Sequence, residues 1–248
     1  MANTPTIDNA FYDTLGDAWY NGENVAMSIL RTEARFKNAW VEQEIERSLP
    51  HKKTLTVVDI GCGGGFLANH FAQRGHKVVG LDASLNSLRT ATRHDGAGAR
   101  YVQADAYRLP LDDASVSVVC AMDVLEHLDR PGELIAEIAR ILEPGGLFFF
   151  QTYNRTPLAR FLFVWAVNRT PGAARHTHVY HLFIKPKELE AHCGARELSM
   201  KSMTGFKLGL NRASMKALVG NYKDVGDFRY ELTRSLAAGY MGYAQKTG

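Results

Sequence analysis

Val57-Val58-Asp59-Ile60-Gly61-Cys62-Gly63-Gly64-Gly65 is the stretch whose reading decides the fold of this chain. It follows an apolar run, Leu55–Ile60, that carries Asp59 near its end, and it precedes a helical pattern over Phe66–Arg74. Glycine lets a chain turn tightly and lets backbone N–H groups approach a ligand closely. Glycine clusters also make plain turns, so the motif counts only because a strand enters it and a helix leaves it.

Working outward, the same alternation repeats. Lys77–Leu81 is a second apolar run that ends in Asp82, and Ser84–Thr92 reads as a helix. Arg100–Gln103 is a short strand ending near Asp105, Ser115–Ala121 a fourth strand, and Gly132–Leu142 a helix. Pro144-Gly145-Gly146 reads as a turn before a fifth strand, Leu147–Thr152. Upstream, Phe36, Trp40, Ile45 and Leu49 recur at helical spacing over residues 31–49. Apolar strands alternating with helices predict an α/β fold with a parallel sheet covered on both faces. The rhythm breaks after residue 153. Residues 153–185 hold no clear strand, and Lys187–His192 reads as a helix. Glu197–Phe206 and Tyr240–Gln245 read as two further strands, with 207–237 undecided.

Composition limits the rest. A chain of 248 residues suits one large domain. We divide it into an N-terminal helical cap (1–52), a core (53–152), a lid segment (153–190) and C-terminal strands (191–248). Hydrophobic residues at 46% and charged residues at 22% are ordinary for a globular protein. The net charge of +3, with no basic run, argues against nucleic acid as a partner. Met1–Asp17 lacks the basic-then-apolar order of a secretory signal. No apolar stretch approaches the roughly 20 residues that span a bilayer. Cys62, Cys120 and Cys193 are odd in number and far apart, which predicts reduced, buried thiols and a cytoplasmic protein.

In an open α/β sheet, ligands bind beyond the carboxyl ends of the strands, beside the switch point. Asp59 and the glycines Gly61 and Gly63 fall there. So does Asp82, 21 residues after Gly61, where an acid can accept hydrogen bonds from both hydroxyls of a ribose. Asp105, followed by Ala106, could receive an adenine amino group. The plain alternative is that the three acids cap helices. A dinucleotide is the sharper alternative, with Ala68 near the place of a third small residue.

Four strings resolve this: V-V-D-I-G-C-G-G-G, then G-L-D at Gly80–Asp82, Q-A-D-A at Gln103–Ala106, and L-E-P-G-G at Leu142–Gly146. In order and spacing they resemble class I methyltransferases that use S-adenosylmethionine. The resemblance implies a Rossmann-like, seven-stranded, mostly parallel sheet with helices on both faces and the last strand antiparallel.

A narrower resemblance covers nearly the whole chain. Phe11-Tyr12-Asp13, Gly16-Asp17, Trp19, the helix around Arg35, Ala121–His127 and Thr152–Arg155 look like the ubiquinone-biosynthesis O-methyltransferases, as do Thr177-His178 and Phe183–Leu189. Those enzymes methylate a phenol or catechol hydroxyl on a polyprenylated ring. The resemblance implies that Arg35, Gly61, Asp82 and Met122 line the cofactor, with the Arg35 fork on the methionine carboxylate. Some members hold Mg²⁺ through Glu-x-x-Glu-His, which maps to Asp123, Glu126 and His127, with Asp in the first place. His178, then His127, is the candidate base for the acceptor proton, ahead of His176 and His181. Phe161–Val167 is an apolar run beside Arg155, Arg160 and Arg169. It suits a lid helix or, over residues 157–167, a peripheral contact with the inner membrane. Because the acceptor half varies among methyltransferases, C- or N-methylation of another small molecule stays open, as does a cofactor-binding module without turnover.

Overall fold

A computed structural model describes residues 10–21, 25–169, 178–209 and 229–248. The strands form one sheet of eight: β1 (Thr56–Ile60), β2 (Lys77–Asp82), β3 (Arg100–Gln103), β4 (Val116–Met122), β5 (Leu142–Tyr153), β6 (Leu198–Leu208), β7 (Tyr230–Thr233) and β8 (Gly239–Lys246). Their order is β3-β2-β1-β4-β5-β8-β6-β7. The first five run parallel, and β8 inserts antiparallel between β5 and β6. All seven predicted strands are present, and the last runs antiparallel as expected. The count is corrected to eight, because β7 adds an antiparallel edge to β6 from inside the undecided 207–237 stretch.

Helices cover both faces, and the period-two alternation of the strands sorts their side chains between two cores. Val58, Ile60, Val119, Phe148 and Phe150 face α5 (Pro131–Ile141) and α7 (Pro186–Gly194). Val57, Val118, Cys120, Leu147 and Phe149 face α2 (Val25–Ser48) and α3 (Phe66–Ala72). Phe149 is fully buried, with the Trp40 ring edge-on at 5.8 Å and the Tyr243 ring stacked at 5.2 Å. All three cysteines are free and buried.

Two local readings need correction. The helix placed at 31–49 begins earlier, at Val25. Pro144-Gly145-Gly146 is not a turn between elements. It is a bulge inside β5, where the ladder jumps from Val116↔Leu142 to Val118↔Leu147 and Gly145 takes φ +79°. The segment after β5 is helical from α6 (Pro157–Ala159) onward, continuing as a wider π-type helix over Arg160–Ala166.

The sheet reverses its order at β1 and β4. The carboxyl ends of those strands open a crevice there, and α4 (Leu85–Arg93), capped by the Ser84 hydroxyl on the Ser87 N–H, flanks it. Packing around β5 holds this crevice in shape. Phe149→Ala should lower unfolding stability by about 3–5 kcal/mol, read as a fall in the urea midpoint with the slope unchanged.

Candidate active site

The crevice is a cavity of about 260 Å³. Its floor is the turn after β1. Gly61, Gly63 and Gly65 all hold φ between +50° and +84°, the left-handed region. At Gly61 no side chain is possible: a Cβ would lie 2.4 Å from Val124 Cγ2. Trp19 lies on the next two glycines, so that a Cβ on Gly63 or Gly64 would meet its ring at 2.9 or 2.8 Å. Asp59 Oδ2 accepts the Ala68 N–H (3.1 Å) and so caps α3. Burial pushes its carboxyl up to about 7. Asp82 ends β2, where its two oxygens accept the Gly63 N–H (2.8 Å) and the Ser84 N–H (2.7 Å). Asp82 lines the cavity, and each oxygen retains acceptor capacity beyond its one N–H, which fits a ribose diol.

The N-terminal segment closes over this floor. The Tyr12 ring stacks on Trp19 with centroids 6.0 Å apart and meets His127 edge-on at 6.1 Å. Asp13 accepts the Ser84 hydroxyl, and Tyr20 stacks on His94 at 3.7 Å, tying the segment to α4 and its end.

Of the residues expected to bind the cofactor, Asp59, Gly61, Gly63, Asp82, Ala106 and Met122 line the cavity. Two do not. Arg35 is exposed, with its guanidinium near Thr32 Oγ1 (3.4 Å). The reason is helical phase: α2 turns Leu30, Ala34, Lys37 and Asn38 to the cavity, and Arg35 falls off that face. Asp105 is exposed as well, and its Oδ1 accepts the Tyr107 N–H (2.9 Å) within its own turn. Its neighbours Ala104 and Ala106 supply the wall instead.

The far end of the cavity is ionisable. His127 lines it, with Nδ1 buried and unpartnered. His178 stands behind, its ring 5.7 Å from His127 and 5.1 Å from Tyr153. Burial lowers His127 to about 4 and His178 to about 3, so both are neutral imidazoles at pH 7. Glu126 is fully buried. Its Oε2 accepts the Thr152 hydroxyl (2.9 Å), Oε1 has no partner, and burial with Asp123 nearby raises it to about 8. His176 lies outside the described residues.

The ligand set implied for Mg²⁺ does not converge. Among the described residues, Glu126, His127 and His178 bring one donor atom each within 4.8 Å of one another, and Asp123 is not among them. Asp123 is engaged elsewhere, as an ion pair with Lys37. Two imidazole nitrogens and one carboxylate do not fit Mg²⁺, which selects oxygen. Lys37 itself escaped the sequence reading, as did Gln151 and Glu33, which surround it. The signal was there: Lys37 sits three and four residues before the buried Trp40 and Val41, on the apolar face of α2.

A glycine floor under a sheet switch point, with an acid ending the second strand, is a nucleoside site, and its likeness to known proteins makes it that of an S-adenosylmethionine-dependent methyltransferase. Residues 58–150 match the family described as "Methyltransferase domain". The fold matches magnesium protoporphyrin IX methyltransferase from Synechocystis, solved with bound SAH (TM-score 0.62, 16% identity, 96% of this chain and 95% of that one). It also matches a SAM-dependent methyltransferase from Methanosarcina mazei (TM-score 0.59, 19% identity, 82% and 97%). In sequence, the chain is 32% identical to a ubiquinone biosynthesis O-methyltransferase of Nitrosococcus oceani, over 77% of this chain and 76% of that protein. It is also 32% identical to one of Stutzerimonas stutzeri, over 83% and 88%. The chain belongs to the ubiquinone biosynthesis O-methyltransferase family.

Gly61→Ala should abolish S-adenosylhomocysteine binding in calorimetry. Asp82→Asn should weaken it by about 10- to 100-fold, the cost of a lost hydrogen bond to a charged acceptor.

Proposed function

We propose that this chain transfers a methyl group to a phenol or catechol hydroxyl of a small aromatic acceptor, a polyprenylated quinone precursor. The observation that carries this reading is His127: a neutral imidazole, with an unpartnered buried nitrogen, in the wall of the cavity that Gly61 and Asp82 floor. The relatives named above for ubiquinone biosynthesis support the acceptor class.

S-adenosylmethionine supplies an electrophilic methyl group on a sulfonium, so the protein's task is alignment and proton removal. Asp82 would hold the ribose hydroxyls, and the Gly61–Gly63 backbone would hold the nucleoside. Tyr12 and Trp19 cover the cavity and exclude water. The acceptor oxygen gains the methyl and must lose its proton, which His127 takes at Nδ1. His178, behind it, holds the ring in place and is the second candidate for that proton. Burial keeps both unprotonated well below the ordinary histidine range.

A lipid-tailed acceptor also explains the surface beside the site. Leu158, Phe161, Leu162 and Trp165 are exposed on one turn-rich helical stretch, and the Phe161 and Trp165 rings stack at 4.9 Å. Phe163 points the other way and stacks on Tyr153 at 3.9 Å. We assign the outer four to contact with the membrane that stores the acceptor, with exposed Arg160 facing anionic headgroups. No helix among the described residues is long and apolar enough to cross a membrane.

His127→Ala should cut kcat with a saturating catechol by about 10²–10⁴-fold, and the wild-type rate should persist from pH 8 down to about pH 5, where an ordinary histidine is protonated. Full turnover in both His127→Ala and His178→Ala overturns the base assignment. Replacing Phe161 and Trp165 by Ser should abolish flotation with anionic liposomes while leaving S-adenosylhomocysteine affinity intact.

A further inference from the structure

Lys37 is a charged residue where α2 should be apolar. It is 4% exposed, lines the cavity, and comes from the wall opposite β4 and β5. Its ammonium donates to Asp123 Oδ2 and to Gln151 Oε1 (3.2 Å), and Glu33 Oε1 of its own helix lies at 3.3 Å. An ammonium buried this deeply persists only where such partners hold it. Asp123 is held at several points. It is a non-glycine residue at φ +58°, in the left-handed region that aspartate enters more readily than most residues. Its N–H is tied to the Gln151 carbonyl (3.2 Å) and its Oδ2 to Lys37. Asp123 lines the cavity, and its other oxygen, Oδ1, is buried without a partner. Behind the wall, Glu126 Oε1 and the Gln151 amide nitrogen are likewise buried and unpartnered. Three elements therefore converge on one clamp, which leaves one buried carboxylate oxygen of a cavity-lining residue without a partner.

We propose that Lys37 is the resident cation of the acceptor site. It holds Asp123 so that Oδ1 accepts from the hydroxyl next to the one methylated, and it balances charge where a divalent ion would otherwise sit. The chain then needs no metal for turnover. This rests on the acceptor reading above, and it turns the misfit of the Mg²⁺ ligand set into a property of this protein. The Lys37 charge already acts on Glu126, and like charge opposes a dication at Glu126, His127 and His178. Lys37 is thus a positioning residue, acting on the acceptor through Asp123.

The test uses the full chain, stripped with EDTA, and compares wild type, Lys37→Met, Lys37→Arg and Asp123→Asn. Turnover is followed with caffeate, a soluble catechol. Wild type should keep its full rate in EDTA and bind neither Mn²⁺, by electron paramagnetic resonance, nor Zn²⁺, by calorimetry. Lys37→Met should lose at least about tenfold in kcat/KM, mostly through KM, with S-adenosylhomocysteine affinity within about threefold of wild type. Lys37→Arg, which keeps the charge, should retain more activity than Lys37→Met, and Lys37→Met should gain Mn²⁺ binding. Asp123→Asn should reproduce the kcat/KM loss without that gain, which covers a Lys37→Met protein that fails to fold. Loss of the wild-type rate in EDTA, stoichiometric metal on wild type, or unchanged kcat/KM in both Lys37→Met and Asp123→Asn overturns the proposal. If no catechol is methylated at all, the acceptor reading fails, and the metal-binding arms alone decide the role of Lys37.

Discussion

The structure turns on a contact that admits no side chain: Val124, just after β4, pressing on the bare Cα of Gly61, just after β1. Those strands lie side by side at the point where the sheet reverses its order, so their carboxyl ends diverge into helices on opposite sides. The gap between them is the cavity. Its width follows from how closely the two loops approach, and only glycine in a left-handed conformation permits that approach. The Asp82 carboxylate then ties the loop to β2 by accepting the Gly63 N–H, so the floor is rigid before any ligand arrives.

The cavity has two chemically distinct ends. The nucleoside end is glycine backbone, apolar wall and Asp82, features common to the fold. The other end is lined by Lys37, half-buried Asp123 and His127, with Glu33, Glu126 and Gln151 buried near them. Burying so many polar groups costs stability, and several keep an unsatisfied atom. Burial raises Glu33 to about 7 even beside Lys37. Such local disagreement with folding rules is expected where a site is built for a ligand rather than for stability. The variable, acceptor-facing half of the molecule is where this expense is concentrated.

Two aromatic segments lie at this end of the sheet. The N-terminal segment lays Tyr12 and Trp19 over the glycine floor, and the π-type helix after β5 presents one aromatic inward and two outward. Arg155 pairs with Glu188 of α7, anchoring the start of the lid to the helical layer.

Much of the fold was legible because it is written locally. An apolar run, a glycine cluster and an amphipathic helix are neighbours in the chain, and so are the physical causes of each. Asp59 and Asp82 could therefore be placed at strand ends from spacing alone. The edge strand Tyr230–Thr233 could not, since an edge strand of four residues is defined by its partner β6 rather than by its own pattern. The acceptor site was legible only in part, for the same reason. Which residue of α2 faces the cavity depends on helix phase against the sheet, and that choice exchanged Arg35 for Lys37. Asp123 reads in sequence as a ligand beside Glu126 and His127, yet a side chain from a helix 86 residues earlier claims it. Local chemistry set the sheet, the turn and the cofactor class. Long-range packing alone decided which charges meet, because electrostatic partners are chosen by distance in space and not by distance along the chain.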